Sequence, residues 1–210
     1  MFSIGIVAHQ SRTTQAKSLA KQVKADFISI DTGLLGCDDN HTTVQSHLWA
    51  LKDEWSVILE DDAQPVQDFP DQLTQALTVA PTPIVSLYLG RRRPPHFQHR
   101  IAAATQKADR DDSHWIIGSH LLHAVGYAIK TELLESLLNF DSDLPIDQHI
   151  TRWAQTQHGH PISYTWPSLV DHEDGPTLVD HPDGSPRRPG RKAWLTGTRT
   201  EWATRCTPMT

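Results

Sequence analysis

Four short apolar runs alternate with three stretches of helical period through the first 90 residues. Ser3-Ile4-Gly5-Ile6-Val7-Ala8, Phe27-Ile28-Ser29-Ile30-Asp31, Trp55-Ser56-Val57-Ile58-Leu59 and Ile84-Val85-Ser86-Leu87-Tyr88-Leu89 read as buried strands. Residues 13–24 put Ala16, Leu19, Ala20 and Val23 on one helical face. Residues 41–53 do the same with Val44, Leu48 and Leu51, and residues 69–79 read as a third helix. Gly33, Gly36 and Asp38-Asp39-Asn40 mark a loop ahead of the second helix. The order β-α-β-α-β-α-β predicts a parallel sheet with helices on its faces. Such sheets bind ligands beyond the carboxyl ends of their strands. Three ends here are polar: His9 to Arg12, Asp31, and Glu60-Asp61-Asp62. They are expected to converge on one edge.

The second half changes character. Residues 91–100 form a basic loop with Pro94 and Pro95. Residues 115–118 and 124–129 read as strands, 130–138 and 145–157 as helices, and 163–166 as a short strand. Beyond Gly175 the chain is rich in Pro, Gly, Asp and Arg, with Trp194 and Trp202 to bury. One domain over residues 1–175, with a basic segment over 176–210 packing on or near the active site, is the expected organisation.

Composition sharpens this. At 210 residues and 38% hydrophobic content the chain can bury a core without a disulfide or metal staple. Cys37 and Cys206 lie far apart and make no metal-type spacing. No apolar run approaches the ~20 residues of a membrane span, and no signal peptide is recognised. A cytoplasmic protein is expected. The net charge of −6 hides an asymmetry. Arg91, Arg92, Arg93 and Arg100 form one basic segment; Arg187, Arg188, Arg191, Lys192, Arg199 and Arg205 form another. The rest of the chain carries nine basic and 24 acidic residues. Positive segments on a negative body suit a polyanion or a phosphate ligand, although solvated loops account for the same pattern.

Glu60-Asp61-Asp62 is the sharpest chemical signal. Three carboxylates ending an apolar strand are costly unless positive charge sits among them. Mg²⁺ and Mn²⁺ take oxygen ligands, combining carboxylates with phosphate oxygens. The cluster therefore suits a metal–nucleotide diphosphate. Asp147, at a predicted helix start, fits either a first-turn acid or a general base. Arg191 and Lys192, before Trp194, suit a diphosphate or nucleic-acid phosphates. The turn after Ala8 lacks the glycines of a Walker or dinucleotide loop.

Val57-Ile58-Leu59-Glu60-Asp61-Asp62-Ala63 resembles the metal-binding segment of GT-A glycosyltransferases, above all glycosyltransferase family 25, the lipopolysaccharide and collagen sugar transferases. Cys37 to Leu51 resembles that family's helix bearing a Ser-His pair, with Asn40-His41 in its place. Gly126-Tyr127-Ala128-Ile129 resembles its tyrosine-alanine strand. Pro145-Ile146-Asp147 and Pro167-Ser168-Leu169-Val170-Asp171-His172 resemble its later motifs. The likeness runs by order and spacing over residues 3–175, in a compact form associated with phage-encoded enzymes. The tail has no match in the cellular enzymes.

The resemblance implies an α/β, GT-A-like single domain with a mostly parallel, Rossmann-like sheet flanked by helices. It implies a glycosyltransferase, inverting by analogy, that uses Mn²⁺ or Mg²⁺ and a nucleotide-sugar donor, a UDP-sugar first. Asp62, Glu60 and His172 would hold the metal. His9, Arg12, Asp31, Glu60 and Asp61 would bind the donor, with Arg191 and Lys192 on its diphosphate. Asp147 would be the catalytic base. Arg91, Arg92, Arg93 and Arg100 would meet the acceptor. The basic segments favour double-stranded DNA carrying a hydroxymethylated base such as 5-hydroxymethylcytosine, flipped from the stack. A protein, glycan or small-molecule hydroxyl is the alternative. A non-catalytic nucleic-acid-binding protein and a metal-dependent hydrolase or nucleotidyltransferase are the competing classes. The oligomeric state is not legible.

Overall fold

The computed structural model of the chain describes residues 1–34, 36–173 and 191–210. Arg187, Arg188 and the boundary near residue 175 lie outside the described residues. The first half runs β1 (Phe2–His9), α1 (Thr13–Val23), β2 (Phe27–Asp31), α2 (Cys37–Leu51), β3 (Trp55–Glu60), β4 (Ala63–Pro65), α3 (Phe69–Thr78) and β5 (Ile84–Ser86). The second runs α4 (Gln98–Arg110), β6 (Trp115–Gly118), β7 (Gly126–Lys130), α5 (Leu134–Leu138), α6 (Ile146–Trp153), β8 (Ile162–Thr165), β9 (Val170–His172) and β10 (Cys206–Pro208).

Eight strands form one sheet in the order β10-β6-β8-β5-β7-β3-β1-β2, and β4 pairs with β9 apart from it. β1 runs parallel to both β2 and β3. β5 and β8 are parallel, as are β6 and β10. The expected mixed α/β architecture, with a large, mostly parallel, Rossmann-like central sheet flanked by helices, is present. Its detail differs in three places. β7 lies antiparallel between β3 and β5, so the fourth apolar run does not pair with the third. That run leaves the sheet after Ser86: Leu87 still donates to the Gly126 carbonyl of β7 but accepts from Val170 of β9, and Leu89 bonds to Ser168 and Trp194. The second helix begins at Cys37 rather than His41. Asp38 and Asp39 thus stand in its first turn, where carboxylates complement the helix dipole.

The alternation of side chains along β1 and β3 builds two cores. Ile4, Ile6 and Ala8 with Val57 and Leu59 face α1 and α3, through Ala16, Leu19, Leu73 and Ala76. Val7 and Ile58 face the other way, onto Val44 and Leu48 of α2 and toward Tyr127 and Trp153. Gly5 lets α2 approach: a Cβ there would stand 2.3 Å from Val44 Cγ1. That close approach brings the start of α2 over the carboxyl ends of β1 and β3.

The C-terminal segment is stitched to this body. Gly90 bridges Ala193, and Ser168 bridges Thr196. Trp202 is buried, its ring 5.4 Å from that of Trp115 and its Nε1 donating to Gln72 at 3.0 Å. Trp194, expected to be buried, is exposed. Arg199 and Arg205 both bind Asp112, and Arg199 also caps carbonyls of Trp166 and Ser113. No helix among the described residues is long and apolar enough to cross a membrane.

Candidate functional site

Parallel pairing fixes the site before any side chain is considered. β1 lies between β2 and β3, with His9 beside Asp31 and Val7 beside Glu60. The connection from β1 runs to β2 and the connection from β3 runs the other way toward β5, which opens a crevice between the carboxyl ends of β1 and β3. Glu60, Asp61 and Asp62 are delivered into that crevice by β3 and the turn after it.

Asp61 and Asp62 share one guanidinium. Arg12 Nη1 lies 2.9 Å from Asp61 Oδ1 and 2.6 Å from Asp62 Oδ2. Asp61 Oδ2 also accepts the His9 backbone N–H at 2.9 Å. Both carboxylates are buried. Burial and the adjacent Glu60 push the Asp62 carboxyl above its usual range, against the pull of His172 and Arg12.

His172 arrives from the β4–β9 ladder, in which Ala63 faces His172. The Glu173 backbone N–H donates to the Asp62 carbonyl at 2.8 Å, which clamps the two segments together. His172 Nε2 stands 3.5 Å from Asp62 Oδ2. That is too long for a hydrogen bond. It is within the ~4.2 Å that two ligands of one ion at ~2.1 Å can span. Asp62 Oδ1 and His172 Nδ1 are buried and have no hydrogen-bond partner among the described residues. Asp62 Oδ2, the oxygen nearest His172, is already held by Arg12, so a divalent cation here would take Asp62 through Oδ1.

Glu60 turns away from this pair. Its Oε1 lies 3.4 Å from His41 Nε2, on α2. His41 Nδ1 is 3.0 Å from the Tyr127 hydroxyl, which also accepts from Gln45 Nε2 at 2.9 Å. Two segments of the resemblance, Asn40-His41 and Gly126-Tyr127, therefore meet in space. Asn40 Nδ2 donates to the Ala8 carbonyl at 3.0 Å and anchors α2 to β1.

Asp147 sits in the first turn of α6. Asp38 Oδ1 accepts the Ile146 backbone N–H at 2.9 Å, tying the start of α6 to the start of α2. Burial pushes the Asp147 carboxyl up to about 6, and Glu60 and Asp38 push the same way. A carboxyl tuned to that value is still ionised at neutral pH and is a stronger base than an exposed one.

The remaining predicted residues divide. Asp31 holds its own loop, accepting the backbone N–H groups of Gly33, Leu34 and Gly36. The His9 side chain caps the next turn through Ser11. Lys192 Nζ donates to the His172 carbonyl at 2.7 Å and lies 3.4 Å from Asp171. The Arg91 backbone N–H donates to the Lys192 carbonyl at 2.9 Å, so the two basic segments run side by side. Arg91 and Arg92 are exposed, Arg93 and Arg191 half-buried. Arg100 stands apart on α4, donating to the Met209 carbonyl at 3.0 Å.

Sequence reasoning missed Cys37, His41 and Tyr127 as one cluster. The i, i+4 spacing of Cys37 and His41 was a usable signal: the apolar period started the helix at His41, one turn late, while the resembling segment already began at Cys37. His123 was missed too: burial drives its pKa down to about 4, leaving it a neutral ring against Tyr88.

No protein-family model and no curated protein matches the sequence. Among solved structures, the chain is similar to A197 from STIV, with a TM-score of 0.53 and 13% identity over 95% of this chain and 96% of that one. It is also similar to a glycosyltransferase involved in the glycosylation of the major capsid of PBCV-1, with a TM-score of 0.30 and 11% identity over 74% of this chain and 67% of that one. At that TM-score the second likeness bears on neither fold nor activity. The first, nearly end to end, is a likeness of fold.

Proposed function

We propose that the protein is a metal-dependent glycosyltransferase. It moves a sugar from a nucleotide-sugar donor, a UDP-sugar first, to an acceptor hydroxyl. The foremost acceptor is a hydroxymethylated base, 5-hydroxymethylcytosine, in double-stranded DNA. The reading is carried by one observation. Asp62 and His172 meet at the carboxyl edge of the sheet, and Asp62 Oδ1 and His172 Nδ1, which are not the two atoms 3.5 Å apart, are buried with no hydrogen-bond partner among the described residues.

Asp62 and His172 would hold Mn²⁺ or Mg²⁺, with Glu60 nearby. The ion, when bound, neutralises the diphosphate of the donor and stabilises it as leaving group. Arg12 holds Asp61 and Asp62 in place. The ends of β1 and β2, with His9, Arg12 and Asp31, line the place of the nucleoside. Lys192 and Arg191 add positive charge beside the phosphates. Asp147 takes the proton from the acceptor hydroxyl as its oxygen attacks the anomeric carbon. The bond from that carbon to the diphosphate breaks, and the diphosphate leaves with the electron pair. Attack opposite the leaving group inverts the anomeric centre.

The neighbouring runs Arg91-Arg92-Arg93 and Arg191-Lys192 support the DNA acceptor. Arg199 and Arg205 favour the second reading, a protein or glycan hydroxyl, because both are taken up by Asp112. Incubation with UDP-sugars, Mn²⁺ and either hydroxymethylcytosine DNA or glycan and protein acceptors separates the two. A sugar adduct on the nucleoside supports DNA. An adduct only on glycan or protein supports the alternative, and none on any acceptor rejects the transferase.

A further inference from the structure

We propose that Cys37, His41 and Glu60 form a second metal site, for a soft divalent transition metal with Zn²⁺ foremost. It lies beside the Asp62–His172 pair and depends on neither that pair nor the transferase reading.

Cys37 opens α2 and His41 follows one turn later, so both face the end of β3. Their ligand atoms and a Glu60 carboxylate oxygen all lie within 4.8 Å of one another. This is the one such group of three or more among the described residues. The His41–Glu60 separation of 3.4 Å is informative. A histidine donating to a carboxylate would close to about 2.8 Å. Nitrogen and oxygen ligands at ~2.0–2.1 Å from one tetrahedral ion stand about 3.4 Å apart.

A second observation points the same way. His41 is fully buried, and its Nε2 has no hydrogen-bond partner among the described residues. Its other nitrogen is held by Tyr127, itself fixed by Gln45. Metal-binding histidines are oriented in this way, with the second ring nitrogen on a fixed polar partner and the first aimed at the ion. The His41–Tyr127 contact accommodates either tautomer, and the one with the proton on Nδ1, which metal binding selects, turns the Nε2 lone pair to Glu60 and Cys37.

The donor set selects the metal. Thiolate, imidazole and carboxylate suit Zn²⁺ or Co²⁺ rather than Mg²⁺. Three protein ligands leave a fourth tetrahedral position, and Cys37 and Glu60 are both partly open to solvent. Binding would release the Cys37 thiol proton to solvent as the sulfur–metal bond forms. Cys37 is surrounded by Glu60, Asp38, Asp61 and Asp62, whose charges with burial push its thiol up to about 12. The same carboxylates favour an arriving cation.

The test uses the full chain, stripped of metal and titrated with Co²⁺. A thiolate–cobalt charge-transfer band in the near ultraviolet, saturating at one equivalent and displaced by Zn²⁺, is expected. Cys37→Ser should remove the band, while Cys206→Ser and Asp62→Ala should keep it. Tyr127→Phe should weaken Zn²⁺ binding about 10–100-fold. Circular dichroism of each variant confirms folding. No band in the wild-type chain, or a band that survives Cys37→Ser, overturns the site. A band alongside absent sugar transfer keeps the site and rejects only the transferase reading.

Discussion

Asp62 Oδ2 and His172 Nε2 stand 3.5 Å apart, although 110 positions separate them in the chain. The β4–β9 ladder and the Glu173-to-Asp62 backbone bond enforce that meeting. The late Val170-Asp171-His172 segment is therefore part of the acidic edge.

Arg12 is the resident counter-ion of Asp61 and Asp62. Removing one partner of a buried ion pair leaves uncompensated charge. Arg12→Ala should cost about 3 kcal/mol of stability at neutral pH. Mn²⁺ should then raise the melting temperature of the variant more than that of the wild type. Thermal unfolding with and without Mn²⁺ checks this. An unshifted melting temperature shows that the guanidinium is dispensable.

Asp147 carries opposite expectations for rate and stability. Its folded pKa is raised to about 6, so ionising it opposes folding. The lost stability accrues as pH rises from the unfolded value near 3.9 through 6, and persists above. Asp147→Asn should stabilise the protein by about 1–3 kcal/mol at pH 8 and leave it nearly unchanged at pH 3. Turnover should fall by about 10²–10⁴ with donor binding kept. The wild-type rate should climb with pH through about 6. A turnover loss under threefold would reduce Asp147 to a helix-start acid.

The shape of the fold was largely legible. The apolar runs and the polar ends of β1, β2 and β3 predicted the sheet and its working edge. Antiparallel β7 was not legible between β3 and β5, because a run buried on both faces reads alike in either direction. The fourth run leaves the sheet sooner than its apolar length suggests, because its last residues pair with β9 and the tail. Asp61, Asp62 and Arg12 meet at the edge where the polar strand ends were expected to converge, while Glu60 turns to His41. The Cys37–His41–Glu60 cluster depends on where α2 begins and on the notch at Gly5, which no local pattern announces.

The tail is expected to belong to the folded body. Trp202→Ala removes a buried ring packed on Trp115 and bonded to Gln72. It should cost about 3–5 kcal/mol in denaturant unfolding. A cost under 1 kcal/mol would make the segment an appendage.

The arginine run should set the salt dependence of acceptor binding. Arg91, at the head of the run Arg91-Arg92-Arg93, adjoins Lys192 on a body that is otherwise strongly acidic. Replacing all three with Ala should weaken DNA binding and flatten the log–log salt slope by about one unit for each phosphate no longer neutralised. Donor affinity should hold. An unchanged slope would point to the glycan or protein acceptor.

The most direct measurement is metal-dependent turnover of UDP-sugars in the presence of acceptor, wild type against Asp62→Ala. Release of UDP that requires Mn²⁺ or Mg²⁺, stops on chelation and falls at least about 10²-fold in the variant is the predicted result. Release that is indifferent to chelation, or full activity in a folded Asp62→Ala protein, would contradict it.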